Sequence, residues 1–391
     1  MEILSVNAGS SSLKFTLIEL PFEKVVVSGT FEKIGIDGSF YTIKYNGEKI
    51  KKEVELKNHT DAVKILMNEL IDMKILDSYD DLDGVGHRVL HGGDTYFDSI
   101  IITPEVEDKI EELFPLGPLH NPANLAGIRS FKEILPNTPQ VAVFDTAFHQ
   151  TMDAEEYLYA VPMEWYEKFS VRKYGFHGTS HKYIAQKMRE ILGEDKKIIS
   201  CHLGNGASLC AIKDGKCVDT SMGLTPLEGL IMGTRSGDLD PAVLGFVMQK
   251  ENININEMTT ILNKKSGLLG ISGKTGDIRD LKELEKQGDK MASLALDMFA
   301  YRVKKYIGSY MAVLGHVDAI IFEGGIGEHN PDVLSRCVSG LEELGIVFDN
   351  SHNDNEQYEG IISMPESKIK MYIIPTNEEL EIAEETMELV K

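Results

Sequence analysis

Near the amino terminus the chain reads Ile3-Leu4-Ser5-Val6-Asn7-Ala8-Gly9-Ser10-Ser11-Ser12-Leu13-Lys14-Phe15-Thr16-Leu17, and this stretch decides the fold. Residues 3–6 are mostly apolar, and apolar and polar residues alternate again over residues 13–18, so two strands are predicted with a tight polar turn between them. The pattern returns at residues 197–212, where an apolar run leads into His202-Leu203-Gly204-Asn205-Gly206-Ala207-Ser208 and a second apolar run. Two strand–turn–strand units of the same design predict a chain of two similar α/β halves.

Helix and strand signals follow each of these units in a similar order. In the first half they predict strands at residues 25–31, 84–90 and 140–144, a hairpin within 40–56 around Asn46-Gly47, and a helix at 60–76. In the second half they predict a strand at 318–322, a glycine turn at 324–327, a helix from about Pro331, a strand at 371–374 and a closing helix from Asn377. Each half is therefore expected to be a mixed sheet covered by helices, with the boundary near residue 150 and a ligand between the halves.

The composition is that of a globular protein without a membrane span. Hydrophobic residues make up 42% of the 391 residues, and no apolar run reaches the roughly 18 residues that a span needs. The formal net charge of −22 argues against binding to nucleic acid or to an anionic membrane, since both need a basic face. Met1-Glu2-Ile3-Leu4 has no basic start or long apolar stretch, so no secretory signal is expected and the cytoplasm is the expected location. The four cysteines lack metal-site spacing, which predicts reduced structural thiols.

Both polar turns are candidate phosphate-binding loops. The first offers Asn7, Ser10 and Ser12, followed by Lys14, so hydroxyls, backbone amides and one cation come close together. The second is the His202-Leu203-Gly204-Asn205-Gly206 loop, whose two glycines let the backbone approach a ligand closely. An ordinary hairpin turn explains either loop taken singly, but their repetition favours two loops that hold one polyphosphate.

A third glycine-containing stretch imitates a phosphate loop. Residues 267–275 resemble the pattern G-x-x-x-x-G-K-[ST]. The first glycine of that pattern would have to stand at position 268, where the chain has Leu268, and Gly267 is one residue too far. A P-loop NTPase is therefore excluded.

Two arginines stand where an anion is the natural ligand. Arg88 comes at the end of a buried strand, where its guanidinium can hold a carboxylate or phosphoryl group through two parallel hydrogen bonds. A structural salt bridge is the alternative for an isolated arginine. Arg235 lies among glycines in Met232-Gly233-Thr234-Arg235-Ser236-Gly237, and two such arginines suggest a shared anion.

Carboxylates and histidines complete the candidate site. Asp145 and Glu378 follow strands, which makes them candidate magnesium contacts, whereas Glu379 and Glu381 are equally explained by a helix dipole. His177 can donate to a transferring phosphoryl group, and His181 can equally cap or pack. No third ligand follows this pair in pattern, so a zinc metalloprotease is excluded.

In this order, these segments resemble the acetate kinase family. The segments that carry the resemblance are Val6 to Lys14, Gly86-His87-Arg88-Val89-Leu90-His91-Gly92-Gly93, Leu119-His120-Asn121-Pro122, Phe144-Asp145-Thr146-Ala147-Phe148-His149, Phe176-His177-Gly178, the His202 loop, the Arg235 segment and Pro375-Thr376-Asn377-Glu378-Glu379. They span nearly the whole chain.

The resemblance implies the α/β fold of actin, Hsp70 and the acetate and sugar kinases, in which two duplicated RNase H-like βββαβαβα domains flank an interdomain cleft. Residues 1–150 with the closing helix at 377–391 would form the amino-terminal domain, and residues 151–376 the nucleotide-binding domain. Arg88 and Arg235 would bind the carboxylate and the migrating phosphoryl group, with His177 assisting. Asn7 would lie near the phosphates and the metal, while Asp145 and Glu378 would hold magnesium or orient the reactants.

The resemblance also implies two sets of binding residues. The pocket for the acyl methyl group would be lined by Leu90, Leu119, Phe176 and Pro226. The nucleotide would be bound by the two loops and by Asp277, Ile278, Arg279, Gly325, Ile326, Gly327, Glu328 and His329. Three positions depart from the usual family pattern, namely His329, Glu323 and the aliphatic Ile278, and they leave the choice of nucleotide open, with ATP expected.

The expected activity is a reversible, Mg²⁺-dependent phosphoryl transfer between ATP and acetate that gives acetyl phosphate and ADP by direct in-line transfer. Mn²⁺ is an alternative metal, and propionate or another short-chain carboxylate is an alternative substrate. An ATP-driven switch of the same fold is the hypothesis from a different class. The resemblance also implies a homodimer.

Overall fold

The computed structural model describes residues 1–353, 355 and 358–391, and the chain forms two compact units. Unit 1 comprises Met1–Gln150 and Asn377–Lys391, and unit 2 comprises Thr151–Thr376. Each unit contains one mixed β-sheet with helices packed on it. Unit 1 is discontinuous, because the end of the chain returns to it.

The sheet of unit 1 has the strand order β5-β4-β3-β2-β1-β6-β8-β7. Its strands are β1 (Glu2–Gly9), β2 (Ser12–Glu19), β3 (Lys24–Glu32), β4 (Phe40–Tyr45), β5 (Glu48–Glu53), β6 (Gly84–Val89), β7 (Ile100–Ile101) and β8 (Gln140–Phe144). Strands β1 to β5 form the expected antiparallel meander, while β6 and β8 continue the sheet in parallel with β1. The predicted hairpin is confirmed, because Asn46 and Gly47 both have the positive φ that a two-residue turn requires.

The first polar turn is shorter than the sequence suggested. Asn7, Ala8 and Gly9 belong to β1 and pair with Lys14, Leu13 and Ser12, so the turn consists of Ser10 and Ser11 alone. Backbone hydrogen bonds of the ladder do not depend on side-chain polarity, which is why the strand continues through these small residues.

Helices α1 (His59–Asp72), α2 (Pro104–Glu112) and α3 (Asn121–Ile134) cover the sheet of unit 1 together with the helix that ends the chain. Asn58 caps α1 by accepting a hydrogen bond from the Asp61 N–H, and α1 buries Ala62, Leu66 and Leu70 in the core. The predicted helix at 60–76 was too long, because the chain turns after Asp72, where Lys74 adopts a left-handed φ of 56°.

The sheet of unit 2 has the strand order β11-β10-β9-β12-β14-β13. Its strands are β9 (Lys197–Leu203), β10 (Ala207–Lys213), β11 (Lys216–Thr220), β12 (Ala319–Glu323), β13 (Gly360–Ile361) and β14 (Lys370–Ile373). The antiparallel pair β9–β10 repeats β1–β2, and β12 is parallel to β9 as β6 is to β1. The two sheets therefore share the predicted design.

The helices of unit 2 are α4 (Ala154–Tyr157), α5 (Met163–Phe169), α6 (Gly178–Leu192), α7 (Ala242–Glu251), α8 (Ile255–Lys264), α9 (Gly267–Ser272), α10 (Ile278–Lys286), α11 (Lys290–Leu314), α12 (Gly324–His329) and α13 (Pro331–Val338). The closing helix α14 (Glu378–Val390) belongs to unit 1 and packs on β1 and β6. Among the described residues, no helix is both long and apolar enough to span a membrane. All four cysteines are buried thiols.

The predicted glycine turn at residues 324–327 was wrong, because these residues begin helix α12. Only Gly324 has a left-handed φ, and its N–H donates to the Glu328 carboxylate at 2.9 Å. A side-chain acceptor at the start of the helix satisfies an amide that would otherwise lack a partner, so this glycine-rich stretch can be helical. The P-loop-like stretch forms α9 and a turn at Gly273, and Lys274 pairs with Asp289.

Candidate active site

In unit 1, Asp145 holds the guanidinium of Arg88 in place. Strands β6 and β8 are parallel neighbours with Arg88 opposite Val143, so the residue two positions after Val143 reaches the guanidinium. Arg88 Nε donates to Asp145 Oδ1 at 2.9 Å and Nη2 donates to Oδ2 at 2.6 Å. The Asp145 side chain is 2% exposed and that of Arg88 is 21% exposed. Because two of the five guanidinium N–H groups are used, the others can bind a further carboxylate or phosphoryl group.

Acidic residues from the closing helix act on the same arginine. Burial would lower the pKa of Arg88, but the charges of Asp145, Glu378 and Glu379 together raise it above its ordinary value, so the guanidinium stays charged. Glu378 and Glu379 lie in the first turn of α14, and Lys14 forms an ion pair with Glu379. Lys14 is in turn the strand partner of Asn7. The structure thus groups five predicted residues of unit 1: Asn7, Lys14, Arg88, Asp145 and Glu378.

Three residues to which the sequence analysis gave no role support this part of unit 1. Asn124 on α3 donates to the Ala8 carbonyl at 2.9 Å and accepts from the Leu90 N–H at 3.1 Å. The Asn121 side chain forms two hydrogen bonds with the backbone of His91, accepting one from its N–H and donating one to its carbonyl. His59 lies 2.8 Å from the Gly9 carbonyl. The sequence signal for these residues was a polar side chain on the face of a helix that packs on the sheet. Such a side chain indicates a hydrogen bond to a buried backbone group, because buried backbone groups need partners.

Unit 2 brings His177, Arg235 and the second loop together. His177 precedes α6 with a left-handed φ of 59°, a conformation that costs a non-glycine residue free energy and is often found at functional sites. A Cβ placed on Gly206 would lie 3.4 Å from both Arg235 Nη1 and His177 Nε2, so both side chains point at this loop. Arg235 Nη1 also donates to the Pro226 carbonyl at 3.0 Å, and burial lowers the pKa of Arg235.

A cavity of about 520 Å³ opens beside the same loop in unit 2. Ten residues line it: Gly204, Asn205, Gly276, Asp277, Ile278, Arg279, Gly325, Ile326, His329 and Asn330. Its size and mixture of apolar and polar walls suit a drug-sized ligand such as a nucleoside. Eight of these residues are among those expected at the nucleotide. Gly276 and Asn330 were missed, although each adjoins a predicted residue.

Other predicted residues have different surroundings. Glu328 accepts from the N–H groups of Gly324 and Thr376, so its carboxylate serves the fold of unit 2. Ser10 in the first turn and Ser12 at the start of β2 are exposed. Leu203 and Gly327 are buried in unit 2 and do not line the cavity.

The four residues expected at the acyl group are divided between the units. Leu90 is buried in unit 1, while Leu119 of the same unit is 64% exposed. Phe176 is buried in unit 2 and Pro226 is partly exposed there. Their assembly into one pocket stays a prediction.

The sequence pattern of the acetokinase family matches residues 2–384. The chain belongs to the acetokinase family. It is 53% identical over 391 residues to the acetate kinase of Geobacillus sp. strain WCH70, covering 99% of this chain and 98% of that protein. It is 52% identical over 393 residues to the acetate kinase of Bacillus subtilis strain 168, covering all of both chains.

Solved acetokinase structures share the fold. The acetate kinase of Porphyromonas gingivalis superposes with a TM-score of 0.96 at 46% identity and covers both chains completely. A propionate kinase from Francisella tularensis superposes with a TM-score of 0.94 at 43% identity and covers 99% of each chain. The actin-like α/β fold expected from the sequence is thereby confirmed.

Acetokinases use ATP or ADP with a divalent metal. The oxygen donors around Arg88 fit such an ion, since hard divalent cations prefer carboxylate and amide oxygens. Glu378 and Asn7 carry oxygen atoms of this kind in unit 1. Both oxygens of Asp145 already accept from Arg88, so its carboxylate orients the arginine, and its part in holding a metal stays a prediction.

Proposed function

We propose that this chain is a Mg²⁺-dependent kinase that moves a phosphoryl group reversibly between ATP and acetate, giving acetyl phosphate and ADP. The observation that carries the proposal is Arg88, oriented by Asp145 with donors left for a second carboxylate. A guanidinium held in this way binds a planar anion such as acetate with a defined orientation.

The reaction needs no general base, because acetate is already ionised at neutral pH. One acetate oxygen attacks the γ-phosphorus of ATP, and the bond from that phosphorus to the β–γ bridging oxygen breaks, so that ADP leaves with the electron pair. The obstacle is the approach of two anions, and positive groups that neutralise the equatorial oxygens lower the barrier. Arg88 would bind the acetate, and Arg235 and His177 would stabilise the phosphoryl group.

In-line transfer requires the anion-binding residues of unit 1 and the nucleotide-binding residues of unit 2 to act on the same phosphoryl group. Glu378 and Asn7 would hold the Mg²⁺ or Mn²⁺ ion, which, when bound, offsets the negative charge of the phosphates. The loop at Gly204–Gly206 and the cavity behind it would bind ATP, and Ile278 would offer an apolar surface to the base.

A propionate kinase is the second candidate, favoured by the likeness to the Francisella propionate kinase. One methylene changes binding in an apolar pocket by only about 1–3 kcal/mol, so the two substrates need a direct comparison. The decisive experiment measures kcat/KM for acetate, propionate and butyrate with purified protein, ATP and Mg²⁺, trapping the acyl phosphate with hydroxylamine. We expect acetate to give the highest value. A higher value for propionate would reassign the substrate, and ATP hydrolysis without any acyl phosphate would favour the switch hypothesis.

A homodimer is part of the proposal. It rests on the resemblance to the acetokinase family, and the exposed large apolar side chains of unit 2, including Trp165, Phe169, Phe246 and Tyr301, are candidates for contact with a second copy. Light scattering at several concentrations would report the mass, and a monomer throughout would contradict this point. Location in the cytoplasm stays a prediction of the sequence.

A further inference from the structure

A charged cluster lies beneath the second loop, and none of the steps above uses its carboxylate. Glu323, the last residue of β12, has a fully buried side chain. Its Oε1 accepts a hydrogen bond from the Ser200 hydroxyl at 3.0 Å, and its Oε2 accepts one from the Ser180 hydroxyl. Two histidines stand within ion-pair distance, with His181 Nδ1 at 3.5 Å and His202 Nδ1 at 3.6 Å.

The Glu323 carboxylate is an anion in the interior of unit 2. Burial alone would raise its pKa, but hydrogen bonding and charge interaction with His202, helped by His181 and Ser180, lower the pKa to about 2. An ion removed from water in this way requires a compensating charge nearby. The nearest groups that can carry this charge are the imidazoles of His181 and His202.

Hydrogen bonds connect Glu323 to His177 through alternating serines and histidines. His181 Nδ1 lies 2.8 Å from Ser200 Oγ, and His181 Nε2 lies 2.9 Å from Ser208 Oγ. Ser208 Oγ lies 2.8 Å from His177 Nδ1, and His177 Nε2 points at Gly206. We call this chain, from Glu323 through Ser200, His181 and Ser208 to His177, the relay.

The carboxylate fixes the direction of the relay, because it can only accept. Ser200 must donate to Glu323, so its oxygen accepts from His181 Nδ1–H. If both histidines were neutral, Ser208 would donate to His181 Nε2 and accept from His177 Nδ1–H, which would leave His177 Nε2 without a proton. A bare nitrogen would repel phosphoryl oxygens. One added proton, on either imidazole, places a hydrogen on His177 Nε2.

We propose that Glu323 is a positioning residue that holds one extra proton on the His181–Ser208–His177 part of the relay and thereby keeps His177 Nε2 a donor for the phosphoryl group. This inference rests on the proposed kinase function. The rate should then depend on pH, because His177 Nε2 no longer donates once the extra proton is lost at high pH.

Several charged groups near the relay change how strongly His181 or His177 binds the extra proton. The negative charge of Glu323 on β12 favours binding of this proton. Arg235 beside His177 Nε2 opposes it, as does His202 on β9 when protonated, since the His202 ring stacks on His177 at 4.2 Å and meets His181 edge-on at 6.3 Å. Cys201 on β9 and Cys210 on β10 remain thiols, because burial raises the pKa of each.

Nitrogen-15 NMR of the histidines in the intact protein tests the proposal directly. In the wild type we expect one relay histidine to be protonated at both nitrogens at pH 7.5, with a pKa at least about one unit above the ordinary value for histidine, because an opposite charge at this range has an effect of that size. Assignment uses His177→Asn, His181→Asn and His202→Asn. A neutral relay at pH 7.5, or a proton that resides on His202 alone, would overturn the proposal even if no Glu323 variant folds.

Kinetics of Glu323→Gln provide the second readout. In the wild type we expect kcat to fall at high pH, where the relay loses its extra proton; we call this fall the alkaline limb of the pH profile. In Glu323→Gln the alkaline limb should move to lower pH by about one unit, because the negative charge is gone. It could also vanish, because the glutamine amide can donate a hydrogen bond and so reverse the direction of the hydrogen bonds in the relay. Glu323→Asp, which keeps the charge, should keep the limb. Glu285→Gln is the matched control, because Glu285 is a carboxylate of unit 2 that pairs with Arg336.

An unchanged alkaline limb in Glu323→Gln would overturn the proposal. Ser208→Ala cuts the relay without changing its charge, so kcat should fall about tenfold or more, as for loss of a preorganised donor. Failure of the wild type to form acyl phosphate would instead contradict the kinase function, and the NMR result would still report the state of the relay.

Discussion

Replacing Asp145 by asparagine tests whether this residue orients Arg88 for acetate. The change keeps the size of the side chain and one acceptor oxygen but removes the charge and one of the two hydrogen bonds, at 2.9 Å and 2.6 Å, that fix the guanidinium. Asp145 is almost fully buried, so water cannot replace the lost bond on its side. The arginine is therefore expected to become less ordered and its charge less well compensated.

The magnitude follows from burial. Removing one partner of a fully buried ion pair costs about 3–5 kcal/mol, and the remaining oxygen together with the 21% exposure of Arg88 reduces this to roughly 2–3 kcal/mol. For a unit of this size, that corresponds to a fall in Tm of about 2–4 °C per kcal/mol. A displacement of about 1 Å in a substrate-positioning group costs about 100-fold in rate. We expect kcat/KM for acetate to fall by about that factor.

The assay measures hydroxylamine-trapped acyl phosphate over a range of acetate and ATP concentrations, at a temperature where the variant is folded by circular dichroism. The KM for ATP should change little, because the cavity proposed for the nucleotide belongs to unit 2. Glu107→Gln is the matched control, since Glu107 is a buried carboxylate of unit 1 paired with Arg129 and Lys132. It should lower Tm and leave kcat/KM for acetate unchanged. A folded Asp145→Asn protein with wild-type kcat/KM for acetate would refute the orienting role.

Three further predictions concern the other parts of the site and the core. Arg235→Ala should fold normally and lose about 10³-fold in kcat, as measured by acyl phosphate formation, and near-wild-type turnover would contradict its role. Gly325→Leu projects a side chain into the open nucleotide cavity and should raise the KM for ATP about tenfold or more, equivalent to about 1.4 kcal/mol, with the KM for acetate unchanged. Burial lowers the pKa of His87 to about 4, although its hydrogen bond to Gln140 opposes this shift. His87 is therefore protonated below about pH 6.5 in the unfolded chain but only below about pH 4 in the folded protein. Stability should therefore fall by up to about 3 kcal/mol as pH drops through that window, and urea titrations of His87→Gln should show less of this loss.

The repeated strand–turn–strand pattern predicted the β1–β2 and β9–β10 pairs, whereas the two-residue strands β7 and β13 were not predicted. Alternating side chains identified β2, and Asn46-Gly47 identified the β4–β5 hairpin, because both signals are local and depend on few residues. Boundaries were less accurate. Strand β1 continues through Asn7 because its ladder with β2 depends on backbone groups, and Gly324 begins a helix because the Glu328 carboxylate caps it.

The candidate residues could be named from the sequence, while the contacts between them could not. Arg88 and Asp145 each stood out at a strand end, but their pairing depends on the parallel register of β6 and β8, which brings residues 57 positions apart into contact. The same holds for Asn124, which reaches the Ala8 carbonyl across 116 positions. Glu323 stood out only as a departure from the family pattern, and its role becomes visible when Ser200 and His181 are placed around it.

Phosphorus-31 NMR of the reaction with ¹⁸O-labelled acetate tests direct phosphoryl transfer to a carboxylate. The purified protein is incubated with ATP, Mg²⁺ and acetate labelled at both oxygens. Because an acetate oxygen attacks phosphorus, we expect an acetyl phosphate resonance that shows the isotope shift of one ¹⁸O bonded to phosphorus, together with an equal amount of ADP. Inorganic phosphate in place of acetyl phosphate, or acetyl phosphate whose phosphorus carries no ¹⁸O, would contradict in-line transfer from ATP to acetate.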